Sequence, residues 1–268
     1  MALAYLTAGS TTVASAGWSD ATGFADNATL IIDQGSQTVT DGLTSGSGLT
    51  TGINYLHGRK GFTGIVGSAG APLTTKFDPS YTTLPNIIWT SGVLYLTCTN
   101  ACPKLRVHGG TVVVVSGTVT SLEVTGGQVD LLAAVDVDAS EISGGYVRDV
   151  AASSNTTNTC VVYDGAYDSD RIITTLTNVN GRVSYGYTTG ATTVNQYGGR
   201  IDWKTGGITT LNLYAGLFDA RRAERDLTIA TANLYPRANF QTKASGATVT
   251  VTSQVDKLGG PSYLAETP

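Results

Sequence analysis

The stretch GRVSYGYTTGATTVNQYGGRIDWKTGGITTLNLYAG, residues 181–216, contains two successive copies of one pattern. In each copy a glycine is followed by a short strand-like run, a turn, a second run that carries paired threonines, and another glycine turn. The stretch GTVVVVSGTVTSLEVTGG, residues 110–127, shares this order of glycine, strand, turn and strand. Since side chains alternate between the two faces of a strand, each run offers one face to a core and one to solvent.

The glycines that close these units recur at a nearly constant spacing. Spacings of 17, 18, 20, 16, 18 and 17 residues separate Gly110, Gly127, Gly145, Gly165, Gly181, Gly199 and Gly216. A period near 18 residues is too short for a propeller blade and has no helical unit, but it fits one coil of a parallel β-helix. We therefore predict an all-β fold, a right-handed parallel β-helix with coils of about 18 residues. An antiparallel sandwich also explains the alternation, but it does not explain why the same positions recur at one period.

Aligned units predict two columns of inward-facing apolar side chains. The first strands contribute Val112, Val129, Val147, Val183, Ile201 and Phe218, and the second strands contribute Leu122, Leu176, Val194 and Leu211. We expect these side chains to be buried and to stack coil upon coil. The glycines between them allow a positive φ at tight corners, where a β-branched residue would be strained.

Outside the periodic region the sequence lacks the 18-residue period. We divide it into an extended N-terminal arm or cap (1–28), an irregular β opening region with a Pro-rich connection (29–90), the β-helix (91–253) and a C-terminal tail (254–268). The arm is rich in Ala, Thr, Ser and Gly, and its aromatic residues Trp18 and Phe24 need a partner surface, so we assign both to an interface.

Composition and charge argue against several classes of function. The start MALAYLTAGS lacks the basic segment of a signal peptide, and no run approaches the roughly 18 apolar residues of a membrane span. We therefore expect a protein made in a cytoplasm, with no membrane partner. The net charge of −4 and the pI near 5.1 argue against a nucleic-acid partner held through phosphates. Only 13% of the residues are charged, which suits flanks that are buried against neighbours or rich in Thr, Ser and Asn.

The sequence carries no motif for catalysis or for a bound cofactor. It has two histidines, no nucleophile elbow, no Walker motif and no dinucleotide-binding unit, so we predict no catalytic residues, no cofactor and no small-molecule substrate. Cys98, Cys102 and His108 could be imagined as three metal ligands. A fourth ligand is missing and cysteine is a common small buried residue, so we predict no metal.

Asp202 and Asp219 are the best candidates in the sequence for a catalytic pair of carboxylates. They fall in one outward column on neighbouring coils, roughly 5 Å apart at the spacing of adjacent strands. Paired carboxylates are the catalytic groups of enzymes that hydrolyse glycosidic bonds. We interpret this pair instead as a solvated pair beside Lys204.

Tyr197, Tyr214 and Tyr235 each stand immediately before a turn, on successive coils. A column of aromatic rings either shields the corner of the solenoid or forms an intersubunit seam. Aromatic residues are enriched at protein interfaces, and a short solenoid has open strand edges that need covering. We predict that these three tyrosines form the seam of a homotrimer.

Residues 27–67, together with the coils GTVTSLEVTGG (117–127) and GGITTLNLYAG (206–216), resemble small β-helical virion proteins of tailed bacteriophages. The resemblance implies a non-enzymatic, trimeric capsid decoration (cement) protein on the outer surface of a phage head. Its expected partners are two further copies of the chain and the major capsid protein. No catalytic residue is carried over, because the family offers no catalytic motif. Two alternatives stay open: a β-helical tail spike that acts on host polysaccharide, and a surface adhesin.

Overall fold

The computed structural model describes residues 86–90, 93–98, 101–149, 156–243 and 246–257, together with seven short strands before residue 86. The chain divides into two compact units, Met1–Asp138 and Ala139–Pro268. The described residues contain no helix, and every strand pairing whose register is described is parallel. The predicted all-β parallel solenoid with coils of about 18 residues is confirmed, whereas its handedness stays a prediction.

The first unit is built from short strands that lead into longer ones. They are β1 (Leu3–Tyr5), β2 (Ser10–Thr12), β3 (Thr29–Ile32), β4 (Thr38–Thr40), β5 (Tyr55–Gly58), β6 (Thr63–Ile65), β7 (Leu73–Thr75), β8 (Asn86–Trp89), β9 (Val93–Cys98), β10 (Leu105–Val107), β11 (Thr111–Val124) and β12 (Gln128–Ile142), the last of which continues into the second unit. One stack runs β1, β3, β5, β8, β10 and β11. In a second stack, β6 and β7 pair with β9, and β9 pairs with β11.

The second unit repeats one coil with little variation. Its strands are β13 (Tyr146–Asp149), β14 (Thr156–Val162), β15 (Ala166–Ser169), β16 (Ile172–Asn178), β17 (Arg182–Tyr185), β18 (Ala191–Gln196), β19 (Arg200–Trp203), β20 (Ile208–Asp219), β21 (Leu227–Gln241) and β22 (Val249–Asp256). Odd-numbered strands pair in sequence from β13 to β19, and even-numbered strands pair from β14 to β20. Each coil therefore adds one strand to each of two stacks, and the longer β20 and β21 contribute to both.

The predicted core columns are confirmed. All ten predicted side chains have no exposed surface, and the register pairs Val183 with Ile201, Ile201 with Phe218, and Val194 with Leu211. The structure extends the first column with Tyr167, which lies between Val147 and Val183, and with Phe240, which follows Phe218. It extends the second column with Cys160, which precedes Leu176.

Glycines turn the corners between the stacks, as predicted, with one difference. Gly165 has a φ of 83°, and a Cβ at this position would lie 2.7 Å from the carbonyl oxygen of Gly145. Because real Cβ atoms do not approach backbone oxygen that closely, only glycine fits here. Gly181 keeps the period without a positive φ, so the constant spacing does not require the same backbone conformation in every coil.

The predicted divisions of the chain fall partly outside the described residues. Within residues 1–28 the strands β1 and β2 pair in parallel with β3 and β4. Trp18 and Phe24 lie outside the described residues. The last strand, β22, ends at Asp256. The boundaries at residues 28, 90 and 253 stay predictions.

One ion pair lies inside the second unit, where the sequence pattern gives no warning of it. Asp149 is 1% exposed and Arg171 is fully buried, and the Nε of Arg171 contacts Oδ1 of Asp149. The Oδ2 of the same carboxylate accepts hydrogen bonds from the hydroxyls of Tyr167, at 3.0 Å, and Thr157, at 3.3 Å. Burial raises the pKa of Asp149 to about 6 against the opposing effect of Arg171, so the carboxylate is ionised at neutral pH.

We expect Asp149→Asn to lower the free energy of unfolding by about 3–5 kcal/mol, because it leaves the guanidinium of Arg171 buried without its carboxylate. Arg171→Met should also be destabilising. The double variant should recover most of the loss, since neither charge is then buried. Urea unfolding followed by tryptophan fluorescence measures all three variants. If the double variant loses the sum of the two single losses, the two residues do not act as a pair.

Candidate functional site

One outward face of the second unit presents three regular columns of side chains. Its strands are β16, β18, β20 and β21, in which every second residue from Thr175, Thr193, Thr210 and Thr231 onward faces outward. We call this face the ladder surface. Its columns are Thr175, Thr193, Thr210 and Thr231; then Thr177, Asn195, Asn212 and Asn233; and then Val179, Tyr197, Tyr214 and Tyr235.

The tyrosines of the ladder surface form a continuous stack. The ring centroids of Tyr197 and Tyr214 are 4.5 Å apart with 4° between the planes, and those of Tyr214 and Tyr235 are 4.4 Å apart with 30° between the planes. These distances are close to the spacing of hydrogen-bonded strands, so the register of the coils holds each ring against the next. The structure thus brings together the three tyrosines predicted as an interface. Tyr197 is half exposed.

The central phenol of the stack, that of Tyr214, resists ionisation. Burial raises the pKa of Tyr214, and the adjacent hydroxyls of Tyr197 and Tyr235 raise it further. The central hydroxyl therefore stays protonated through the physiological pH range. As a result this hydroxyl can donate and accept hydrogen bonds without carrying charge.

The asparagines beside the tyrosines are hydrogen-bonded to one another along the stack. The Nδ2 of Asn233 donates to Oδ1 of Asn212 over 2.8 Å, and Nδ2 of Asn212 donates to Oδ1 of Asn195 over the same distance. Nδ2 of Asn195 donates to the hydroxyl of Thr177 over 3.4 Å. Part of the hydrogen-bonding capacity of these amides is thus met within the surface, which lowers the cost of covering them with a partner.

Asp202 and Asp219 are not the solvated pair expected from the sequence. Asp202 is 6% exposed and Asp219 is 3% exposed. The guanidinium of Arg200 lies across both, 2.5 Å from Asp202 and 3.0 Å from Asp219, and Arg221 binds Asp219 at 2.8 Å. Lys204 lines a separate cleft. The sequence does contain a signal of these ion pairs: an arginine stands two residues from each aspartate, and residues i and i+2 of a strand share a face.

These guanidinium contacts decide what the acidic pair can do. Hydrogen bonding to Arg221 lowers the pKa of Asp219, although burial opposes it, and hydrogen bonding to Asp202 raises the pKa of Arg200. Asp219 therefore stays ionised at neutral pH and is neutralised by its neighbours. Acid catalysis requires a group that holds a proton near the working pH, which Asp219 does not supply. The arrangement is typical of a charge network that stabilises the face.

Two of the residues considered as metal ligands, Cys102 and His108, make other contacts. Cys102 is buried and its backbone bridges to Val119. His108 is exposed, and its Nδ1 lies 2.6 Å from the hydroxyl of Thr125. The side chain of Cys98 lies outside the described residues. In the ranges that the structure describes, no three His, Cys, Asp or Glu side chains are grouped to hold a metal.

A polar cleft of about 340 Å³ opens where the first-strand stack of the second unit carries small side chains. Ser184 lies at this level, between Asp168 of the preceding coil and the coil that carries Lys204. Arg148 also lines the cleft, and the hydroxyl of Tyr146 donates to Asp168 over 2.7 Å. The cleft is therefore lined by two cationic residues, three aspartates (Asp149, Asp168 and Asp170) and two serines, and it favours a polar ligand over an apolar one.

No protein-family model, curated protein or solved structure matches the chain. None of the residues with a described position belongs to a helix of the length and apolar character needed to cross a membrane.

We expect Asp219→Asn to lower the free energy of unfolding by about 1–2 kcal/mol at pH 7, because it removes the charged acceptor of two guanidinium groups. The folded pKa of Asp219 is lowered below its ordinary value of 3.8. Its contribution is thus fully present above about pH 4 and is lost as the pH falls through the folded pKa. Thermal unfolding of both proteins between pH 2 and pH 7, about the range of the carboxyl titration, measures the difference.

Asp256→Asn is the matched control, because Asp256 is an exposed carboxylate of the same unit that accepts a hydrogen bond from Gln254. It should change stability by less than about 0.5 kcal/mol. Equal effects of the two variants would show that the arginine contacts of Asp219 contribute nothing measurable.

Proposed function

We propose that this chain is a non-enzymatic structural protein that acts by contact, and that the ladder surface is where it associates with further copies of itself. The observation that carries the proposal is the stack of Tyr197, Tyr214 and Tyr235, which presents aromatic edges and hydroxyls in a fixed row. Aromatic residues with a polar tip are enriched at interfaces because they bury a large area and still satisfy their polar group.

The ladder surface is also prepared for contact before any partner arrives. Rings that stack on one another and amides that bond along the column have little rotamer freedom left to lose on binding. The columns carry no charged side chain from Thr175 to Tyr235, so copies can approach without repulsion between like charges. Both properties reduce the cost of association.

The specific role we propose is the one implied by the resemblance, a capsid decoration protein on the outer surface of a phage head. Such a protein needs a rigid body, many copies and contacts to the shell, but no chemistry. The parallel coils supply the rigid body, and Asp202 and Asp219 are occupied by arginines. In this proposal Trp18 and Phe24 contact the major capsid protein, and the oligomer is the predicted homotrimer.

The cleft lined by Arg148, Asp168 and Lys204 favours one competing role. A polar cleft with charges of both signs suits a sugar chain, as the tail-spike alternative requires. Loss of a polysaccharide-cleaving activity on Asp168→Asn, with the fold unchanged, would replace the decoration proposal by that alternative.

Self-association predicts that the purified chain forms an oligomer in light scattering at micromolar concentration. Tyr214→Arg should yield monomers, since it places a charge in the middle of the stack. Thr188→Arg, at an exposed turn residue away from the ladder surface, is the control and should leave the mass unchanged. A wild-type chain that stays monomeric contradicts the proposal.

Capsid binding predicts a second, separable result. Trp18→Ser together with Phe24→Ser should leave the oligomer intact and abolish sedimentation with phage heads that lack the protein. Substitution is preferable to deletion here, because β1 and β2 pair with later strands. If the doubly substituted chain still decorates heads, these two residues are not the capsid contact.

A further inference from the structure

The tyrosine column continues beyond Tyr197 in an alternating order of small and large side chains. Going back along the coils from Tyr197, the column holds Val179, then Tyr163, then Ser143. Backbone hydrogen bonds fix this register. The N–H of each residue in the column donates to the carbonyl oxygen of the residue just before its column neighbour on the preceding coil, as in a regular parallel sheet. These hydrogen bonds are Tyr197 N to Asn178 O, Val179 N to Val162 O, and Tyr163 N to Ile142 O, each 2.8 Å long.

This order leaves gaps of one ring's thickness. Tyr163 and Tyr197 are two coils apart, which places them about 9.5 Å from each other at the spacing of adjacent strands. Rings elsewhere in the column stack at 4.4 and 4.5 Å, so the space over Val179 has room for one further ring. Among the described residues these two are the exposed aromatic side chains, at 46% for Tyr163 and 50% for Tyr197.

The four-residue order is complementary to its own reverse. When a second copy is placed antiparallel beside the first, each level of the column sets a small residue opposite a tyrosine. Level by level, Ser143 faces Tyr197, Tyr163 faces Val179, Val179 faces Tyr163, and Tyr197 faces Ser143. Self-complementarity of one patch is the requirement for a two-fold symmetric contact, in which residue i meets j and j meets i.

We propose that two copies of the chain associate antiparallel through this column, with Tyr163 of each copy inserted over Val179 of the other. The inserted ring lies between Tyr163 and Tyr197 of its host, and the result is one unbroken run of tyrosine rings, four from each copy. This inference rests on the proposed self-association and replaces the predicted three-fold arrangement at this surface by a two-fold one.

The second copy is the occupant that the surface itself specifies. The vacancy has the pitch of a tyrosine stack, and the same patch supplies exposed tyrosine rings to fill it. At the levels of Val179 and Tyr197 the neighbouring threonine and asparagine columns are uncharged, so these levels present no charge to a second copy. Covering both faces of Tyr163 also removes one of the largest exposed apolar areas of the described chain from water.

Val179→Tyr tests the gap without removing any side chain that supports the fold. The new ring should continue the stack within its own chain, keep or raise the melting temperature, and exclude the ring of the second copy. Sedimentation velocity should give a mass of two chains for the wild type and one chain for Val179→Tyr. Thr188→Tyr is the control, because it adds the same ring at an exposed turn residue away from the ladder surface, so this variant should stay paired.

Photo-oxidative cross-linking of tyrosines gives an independent measurement. In the proposed pair every contact between tyrosines of different chains includes Tyr163. Wild-type protein should therefore give a covalent two-chain band on a denaturing gel. Tyr163→Phe keeps the ring but not the phenol, so it should keep the two-chain mass in solution and lose that band.

The outcomes separate this inference from the proposal on which it rests. A wild-type mass of three chains overturns the antiparallel pair and keeps self-association through the ladder surface. A pair that persists in Val179→Tyr overturns the insertion of Tyr163, even if Tyr214→Arg still dissociates the protein. A monomeric wild type overturns both.

Discussion

The hydrogen bonding of each coil onto the next, in register, is the constraint from which the other features follow. It sets equivalent residues of successive coils about 4.8 Å apart, which is close to the stacking distance of aromatic rings and within reach of a hydrogen bond between amides. The same constraint therefore builds an apolar column inside, as at Val183 and Ile201, and a tyrosine stack outside, at Tyr197 and Tyr214. A side chain in this fold is supported mainly by its counterparts in the coils above and below it, and much less by its neighbours in sequence.

That dependence makes charged columns difficult to accommodate, because residues of like charge on successive coils lie close together and repel each other. The chain solves this with arginine. Arg200 bridges Asp202 and Asp219 on adjacent coils, so two carboxylates in one column are held by one guanidinium. Inside the second unit, Asp149 is held by Arg171 and two hydroxyls. The planar, multidentate guanidinium suits both places better than an ammonium group, whose donors have no fixed fork.

Periodicity predicted the core positions of the repeating coils in both units from the sequence. The columns through Val112 and Leu122 follow from alternation and spacing alone, and all their predicted members are buried. Tyr167 was missed because an aromatic residue with a hydroxyl resembles a surface residue, and only the register places it between Val147 and Val183. The burial of Asp202 was missed for a different reason. Exposure of an outward residue depends on whether a long neighbour such as Arg200 folds over it, and side-chain conformation has no period.

Positions that depart from the repeat say the most about function, because the stability of the stack does not explain them. A residue that obeys the column, such as Asn212 between two asparagines, is explained by the stability of the stack. Val179 breaks a tyrosine column that continues on the coils after it, and the break costs the stacking that a tyrosine would gain from Tyr197. The gap at Val179 therefore lowers the stability of the single chain, and it lies beside exposed rings whose thickness matches it. These are the properties expected of a surface whose missing ring is supplied by another molecule.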